Sequence, residues 1–113
     1  MKTILFLLLF AASAFAKPVK LAFSYDEEDF VTERAVGFRI YAVPVNGNVI
    51  VTEVLVADLV THATGEKGVV IDLDHRLRWH IYMVIFNEES ESDPSNTLFF
   101  GKPTPPGLSK LTP

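Results

Sequence analysis

Val19, Leu21 and Phe23 alternate with Lys20, Ala22 and Ser24, the period-two pattern of a strand with one buried face. Asp26-Glu27-Glu28-Asp29 ends it, because like charges and poor strand formers cannot continue a ladder, and the stretch is predicted as a loop. A second alternation runs from Ala35 to Pro44, with Phe38, Ile40 and Ala42 on one face and Arg39, Tyr41 and Val43 on the other. Pro44 has no N–H to donate, so the strand is expected to end or lie unpaired there. Asn46-Gly47 suits the left-handed backbone of a tight hairpin turn, and Val49 to Leu59, rich in β-branched residues, is predicted to return alongside.

The pattern lapses between Val60 and Gly68, which reads as a loop. Val69 to Leu73 forms a short strand, and the charged corner Asp74-His75-Arg76-Leu77-Arg78 leads into Trp79–Phe86, the longest strand signal in the chain. Asn87 to Ser95 is polar and loop-like, and Thr97 to Phe100 makes a last strand. Beyond Gly101 the prolines at 103, 105, 106 and 113 predict an extended tail over residues 102–113. No helix is predicted after residue 16. Short strands separated by turns, without helices, indicate an all-β antiparallel sandwich. Phe23, Ile40, Leu73, Trp79, Met83 and Ile85 are its expected core.

The order of particular residues narrows the architecture. Gly37-Phe38-Arg39-Ile40-Tyr41, the step from Leu73 to Trp79, the run through Met83, Ile85 and Asn87, and Pro94-Ser95-Asn96 together resemble a fibronectin type III domain from about Pro18 to Phe100. The resemblance implies an immunoglobulin-like sandwich of about seven strands. Phe23 stands where that family usually places a core tryptophan, and Trp79 where it places a corner tyrosine. The phenol-to-backbone hydrogen bond of such a corner is thereby replaced, with the indole N–H as a different donor.

The N-terminus adds an expected address. Lys2, the apolar stretch Ile4–Phe10 and the small-residue site Ala14-Phe15-Ala16 form a signal-peptide pattern over residues 1–16. The apolar run is shorter than the ~20 residues a membrane-spanning helix needs. A soluble, secreted or periplasmic chain starting at Lys17 is therefore expected, with its domain over residues 17–101. There is no cysteine, which rules out disulfides and thiolate chemistry, so packing and sheet hydrogen bonds must stabilise the domain.

The formal net charge is −4, and loss of Lys2 with the leader makes the chain one unit more acidic. Nucleic acid is not an expected partner for such a chain. His62, His75 and His80 are the only histidines and have no metal-ligand spacing. No nucleophile elbow or phosphate loop occurs, so neither an enzyme nor a cofactor is expected. The carboxylates are more informative. In the sandwich implied by the resemblance, Asp26, Glu27, Glu28 and Asp29 share one pole with Glu88, Glu89, Glu91 and Asp93, while Arg76 and Arg78 fall at the other.

That acidic pole is the expected binding site, for a basic protein surface or for calcium, although no EF-hand-like spacing is present. The expected function is a non-enzymatic binding or adhesion module for a cell-surface protein or glycan. The alternatives are a secreted inhibitor that uses its loops and an accessory domain of a polysaccharide-acting system. Phe30 is the only aromatic residue in the predicted loops, which leaves a glycan few loop platforms.

Overall fold

The computed structural model describes residues 15–111. The leader predicted over residues 1–16 thus lies outside the described residues except at Phe15 and Ala16, as do the last two residues of the predicted tail. Among the described residues, strand β1 (Ala16–Phe23) is followed by helix α1 (Glu27–Thr32). The remaining strands are β2 (Gly37–Pro44), β3 (Ile50–Leu55), β4 (Val60–Thr61), β5 (Lys67–Asp74), β6 (Arg78–Phe86) and β7 (Leu98–Gly101). They form two antiparallel sheets, ordered β1-β5-β4 and β3-β2-β6-β7. The order is compatible with an immunoglobulin-like fold.

Several elements depart from the sequence prediction, among them the loop expected from Val60 to Gly68, whose two ends pair as β4 and the start of β5. The acidic stretch opens a helix rather than a loop. Asp26 caps it by accepting the Asp29 N–H at 3.0 Å, and Glu27, Glu28 and Asp29 occupy its first turn. Carboxylates that interrupt a strand are favourable there, because they face unpaired N–H groups and the positive end of the helix dipole. Phe30, stacked on Phe38 with ring centroids 5.4 Å apart, holds the helix to the body.

The strand predicted from Val49 to Leu59 is also divided. β3 stops at Leu55, a short 3-10 turn covers Val56–Asp58, and Val60–Thr61 pairs with Gly68 and Lys67 of β5. The Asp58 carboxylate accepts the Leu55 N–H across this turn. The turn carries the chain from one sheet to the other, which an uninterrupted strand could not do. The β2–β3 connection is likewise longer than a tight turn, spanning Val45 to Val49, with Gly47 at φ 119°. Pairing between β2 and β3 ends at Ala42 and Ile50, so the missing N–H of Pro44 breaks no ladder.

The facing sides of the sheets bury Leu21, Ile71 and Leu73 against Ile40, Ala42, Val54, Trp79 and Ile81. The expected core members Ile40, Leu73 and Trp79 are fully inside, whereas Phe23, Met83 and Ile85 are half-buried. These three lie where the sandwich is open. Among the described residues no strand pairs with the outer edge of β1, so the core beside it has no cover.

The two sheets are joined at the Asp74–Arg78 corner. The Trp79 indole N–H donates to the Asp74 carbonyl at 2.8 Å, and the Leu77 N–H reaches the same oxygen at 3.2 Å. The Asp74 carboxylate accepts from the Arg76 backbone N–H and from its guanidinium at 2.8–3.0 Å. Lys102 N–H ties the end of β7 to Leu77 at 2.9 Å. Beyond it the tail is extended, with Leu108 and Leu111 almost fully exposed.

Trp79→Ala is expected to cost ~3–5 kcal/mol in denaturant melts, from the lost ring and the cavity it leaves. Trp79→Phe should cost less, about 1–2 kcal/mol, because packing is largely kept while one hydrogen bond is lost. Equal losses for both substitutions would show that the indole N–H, not the ring, carries the corner.

Candidate functional site

Alternation along β2 and β6 sends Trp79 and Ile81 inward and therefore His80 and Tyr82 outward. Cross-strand register sets Tyr41 opposite Tyr82 and His80 opposite Phe99. The two tyrosine rings stack at 5.0 Å with planes 12° apart, and His80 meets Phe99 edge-on at 4.7 Å. Parallel rings at about the inter-strand spacing must stand off the sheet rather than lie on it. Each ring thereby covers one face of the other.

Two arginines frame this aromatic ladder. The Arg39 guanidinium lies 4.0 Å over the Phe86 ring and bonds Glu53 at 2.9 Å and Glu91 at 3.0 Å. Arg78 lies 4.7 Å over Phe99. Phe99 remains 58% exposed, and Val51 and Leu55 are each 49% exposed along β3. The outer face of the four-stranded sheet thus carries tyrosine, phenylalanine, histidine, arginine, valine and leucine, with Glu53 paired to Arg39 and no lysine. An outward strand face that served only solubility would carry charged and small polar residues instead.

Glu91 belongs to this face. Its carboxylate accepts from the Tyr41 hydroxyl as well as from Arg39. Both partners favour its charged form, the phenol most strongly, and hold it below the usual carboxylate range. The same hydrogen bond raises the Tyr41 phenol. The segment carrying Glu91 is fixed along β6 by serines. Ser92 accepts the Ile85 N–H through its hydroxyl and donates its own N–H to the Ile85 carbonyl, and Ser95 does the same for Met83. Each serine completes the outward hydrogen bonding of one β6 residue without a regular strand.

The eight carboxylates expected at one pole are distributed among four roles. Both acidic segments do lie at the end of the sandwich where β1 and β6 finish, joined by the Asn87 side-chain amide donating to the Glu33 carbonyl at 3.2 Å. Asp26, Glu27, Glu28 and Asp29, however, begin α1, and Glu27 lies 3.8 Å from the Lys67 ammonium. Glu88 and Glu89 are exposed in a turn held by the Asn87 side chain. Glu91 turns onto the sheet face, and Asp93 lines a cavity beside Pro94. Among the described residues no three acidic or histidine side chains converge to hold a metal ion.

The aromatic face was readable in the alternation, since Tyr41, His80 and Tyr82 occupy outward positions of the two clearest strands. Counting aromatic residues only in the loops conceals it. No protein-family model, characterised protein or solved structure matches the chain.

Acid titration should expose the two anchored carboxylates. Arg76, through its side chain first and then its backbone N–H, lowers Asp74 from 3.8 to about 2. A depressed carboxyl contributes stability that is complete above its unfolded pKa, near 4, and is lost as pH falls through the folded value. Asp74→Asn should therefore be less stable than the parent at pH 7, with the gap closing as pH approaches about 2. A gap that stayed constant from pH 7 to pH 2 in urea melts would show that the ion pair has no role in stability.

Proposed function

We propose that this chain is an exported, non-enzymatic module of fibronectin type III kind that binds a protein partner through the outer face of its four-stranded sheet. The observation that carries the proposal is the ladder of Tyr41–Tyr82 and His80–Phe99 between Arg39 and Arg78. Tyrosine, phenylalanine and arginine are the residues by which protein interfaces gain most of their affinity, and lysine is depleted there. The strand order and the indole-bonded corner support the fibronectin type III kind.

The geometry favours a protein over a glycan. Sugars stack on flat, open ring faces. Tyr41 and Tyr82 spend one face each on the other, and the Tyr41 hydroxyl is already held by Glu91. Ring edges, aliphatic side chains and guanidinium groups remain, which suit side chains inserted from a partner.

The test begins with the protein secreted by a host expressing all 113 residues, used to retain partners from extracellular and envelope fractions. Binding of a recovered protein is then measured against variants. Phe99→Ala and Tyr82→Ala together should weaken it about 30-fold or more, the ~2 kcal/mol expected of interface hot spots. Phe99→Ala alone should leave melting within about 0.5 kcal/mol, as expected for an exposed side chain. Undiminished binding by the double variant, with loss on neutralising Glu28, Asp29, Glu88 and Glu89, would move recognition to the acidic pole.

A further inference from the structure

The open side of the sandwich carries a second and separate feature. The His75 N–H donates to the Phe15 carbonyl at 3.3 Å in the register that pairs β1 with β5. This fixes the phase of the ladder, because alternate residues of an antiparallel strand bond to the same neighbour. Lys17, Val19, Leu21 and Phe23 therefore bond to β5. The N–H and C=O groups of Lys20 and Ala22, and the carbonyl of Pro18, point away from it. Pro18 has no N–H to offer, so the available donors begin at Lys20.

Two apolar cavities lie along this edge. One of about 200 Å³ is lined by Phe23, Tyr25, Phe38, Met83, Ile85 and Pro94. The other, about 80 Å³, is lined by Leu21, Phe23, Ile81, Met83 and Leu98. They share Phe23 and Met83 and are displaced by two residues along both β1 and β6. That is the spacing of successive side chains on one face of a strand. Unpaired backbone beside pockets at alternate-residue spacing is what recognition by strand addition requires.

The charges choose a direction. Among the described residues Lys17 and Lys20 make no ion pair, and they lie toward the start of β1. Asp93 lies at the larger cavity, beyond its end. A strand antiparallel to β1 begins beside Asp93 and finishes beside the lysines. We infer that the outer edge of β1 binds an extended segment of a partner protein, antiparallel to β1. The segment carries a basic residue first, then a large and a smaller apolar residue at alternate positions, then an acidic residue. The large side chain fills the cavity beside Phe38, the smaller one the cavity beside Leu98, and the acidic residue pairs across the edge with Lys20. Pro18 and the two lysines restrict indiscriminate edge pairing, leaving Lys20 to Ser24 as the accepting stretch.

The probe is the capped peptide Lys-Thr-Leu-Thr-Val-Glu, titrated into the protein secreted from the full-length gene. The expected result is saturable binding that slows exchange of the Lys20 and Ala22 amides, which have no partner among the described residues. Methylating the backbone nitrogen of the second threonine, opposite Ala22, should weaken binding at least tenfold. So should exchanging the terminal Lys and Glu of the peptide, and Lys20→Glu should reverse that charge preference. Phe99→Ala, which disables the outer face, should leave peptide binding unchanged. Full binding of the methylated peptide, or no change in the Lys20 and Ala22 amides, would overturn the inference. Absence of saturable binding to the secreted protein would overturn it as well.

Discussion

The indole of Trp79, bonded to the carbonyl of Asp74 across the corner between β5 and β6, is the contact on which the rest of the domain depends. β5 lies in one sheet and β6 in the other, so this corner is where the chain crosses the core. Placing Trp79 inward fixes the phase of all of β6. A slip of one residue would send Tyr82 and His80 into the core and expose Ile81 and Met83. The corner also gathers charge on its solvent side, where Arg76 closes on the Asp74 carboxylate and lies 3.6 Å over the Phe15 ring. A single hydrogen bond of this kind is worth about 1 kcal/mol, and its greater effect is to make one register the only satisfied one.

Both proposed recognition surfaces follow from that phase. The outward residues of β2, β6 and β7 pair across strands into the aromatic ladder, and Glu91 neutralises Arg39 at its upper end. The inward residues Met83 and Ile85 face the side where β1 has no outer neighbour among the described residues; Met83 walls both edge cavities and Ile85 the larger. One surface offers side chains and the other offers backbone. They lie on different sides of β6, so a partner at one leaves the other available.

Much of the fold was legible from alternation along β2 and the first half of β6; in the second half burial changes phase, with outward Val84 and Phe86 buried and inward Met83 and Ile85 half-buried, which alternation does not foretell. The indole donor was anticipated from the resemblance, which sets Trp79 where a fibronectin type III domain carries a corner tyrosine. Helix α1 was hidden because four successive carboxylates read as strand-breaking, and their value as a cap and first turn shows only once Phe30 has an aromatic cluster to join. The division of the Val49–Leu59 segment was hidden because its β-branched composition continues through a turn set by Asp58. The acidic pole was legible as a location but not as a site. Which carboxylate turns toward Arg39 and Tyr41 depends on Ser92 and Ser95 fastening an irregular segment to β6, and periodicity carries no trace of that.

The decisive measurement is hydrogen exchange of the Trp79 indole N–H, a single resonance because the chain has one tryptophan. If the indole locks the crossing between the sheets, its exchange should require global unfolding, with an opening free energy equal to the stability measured in denaturant. Exchange through local opening, at a free energy several kcal/mol lower, would contradict the account. It would mean that the corner is loosely held and that the phase of β6 is set elsewhere.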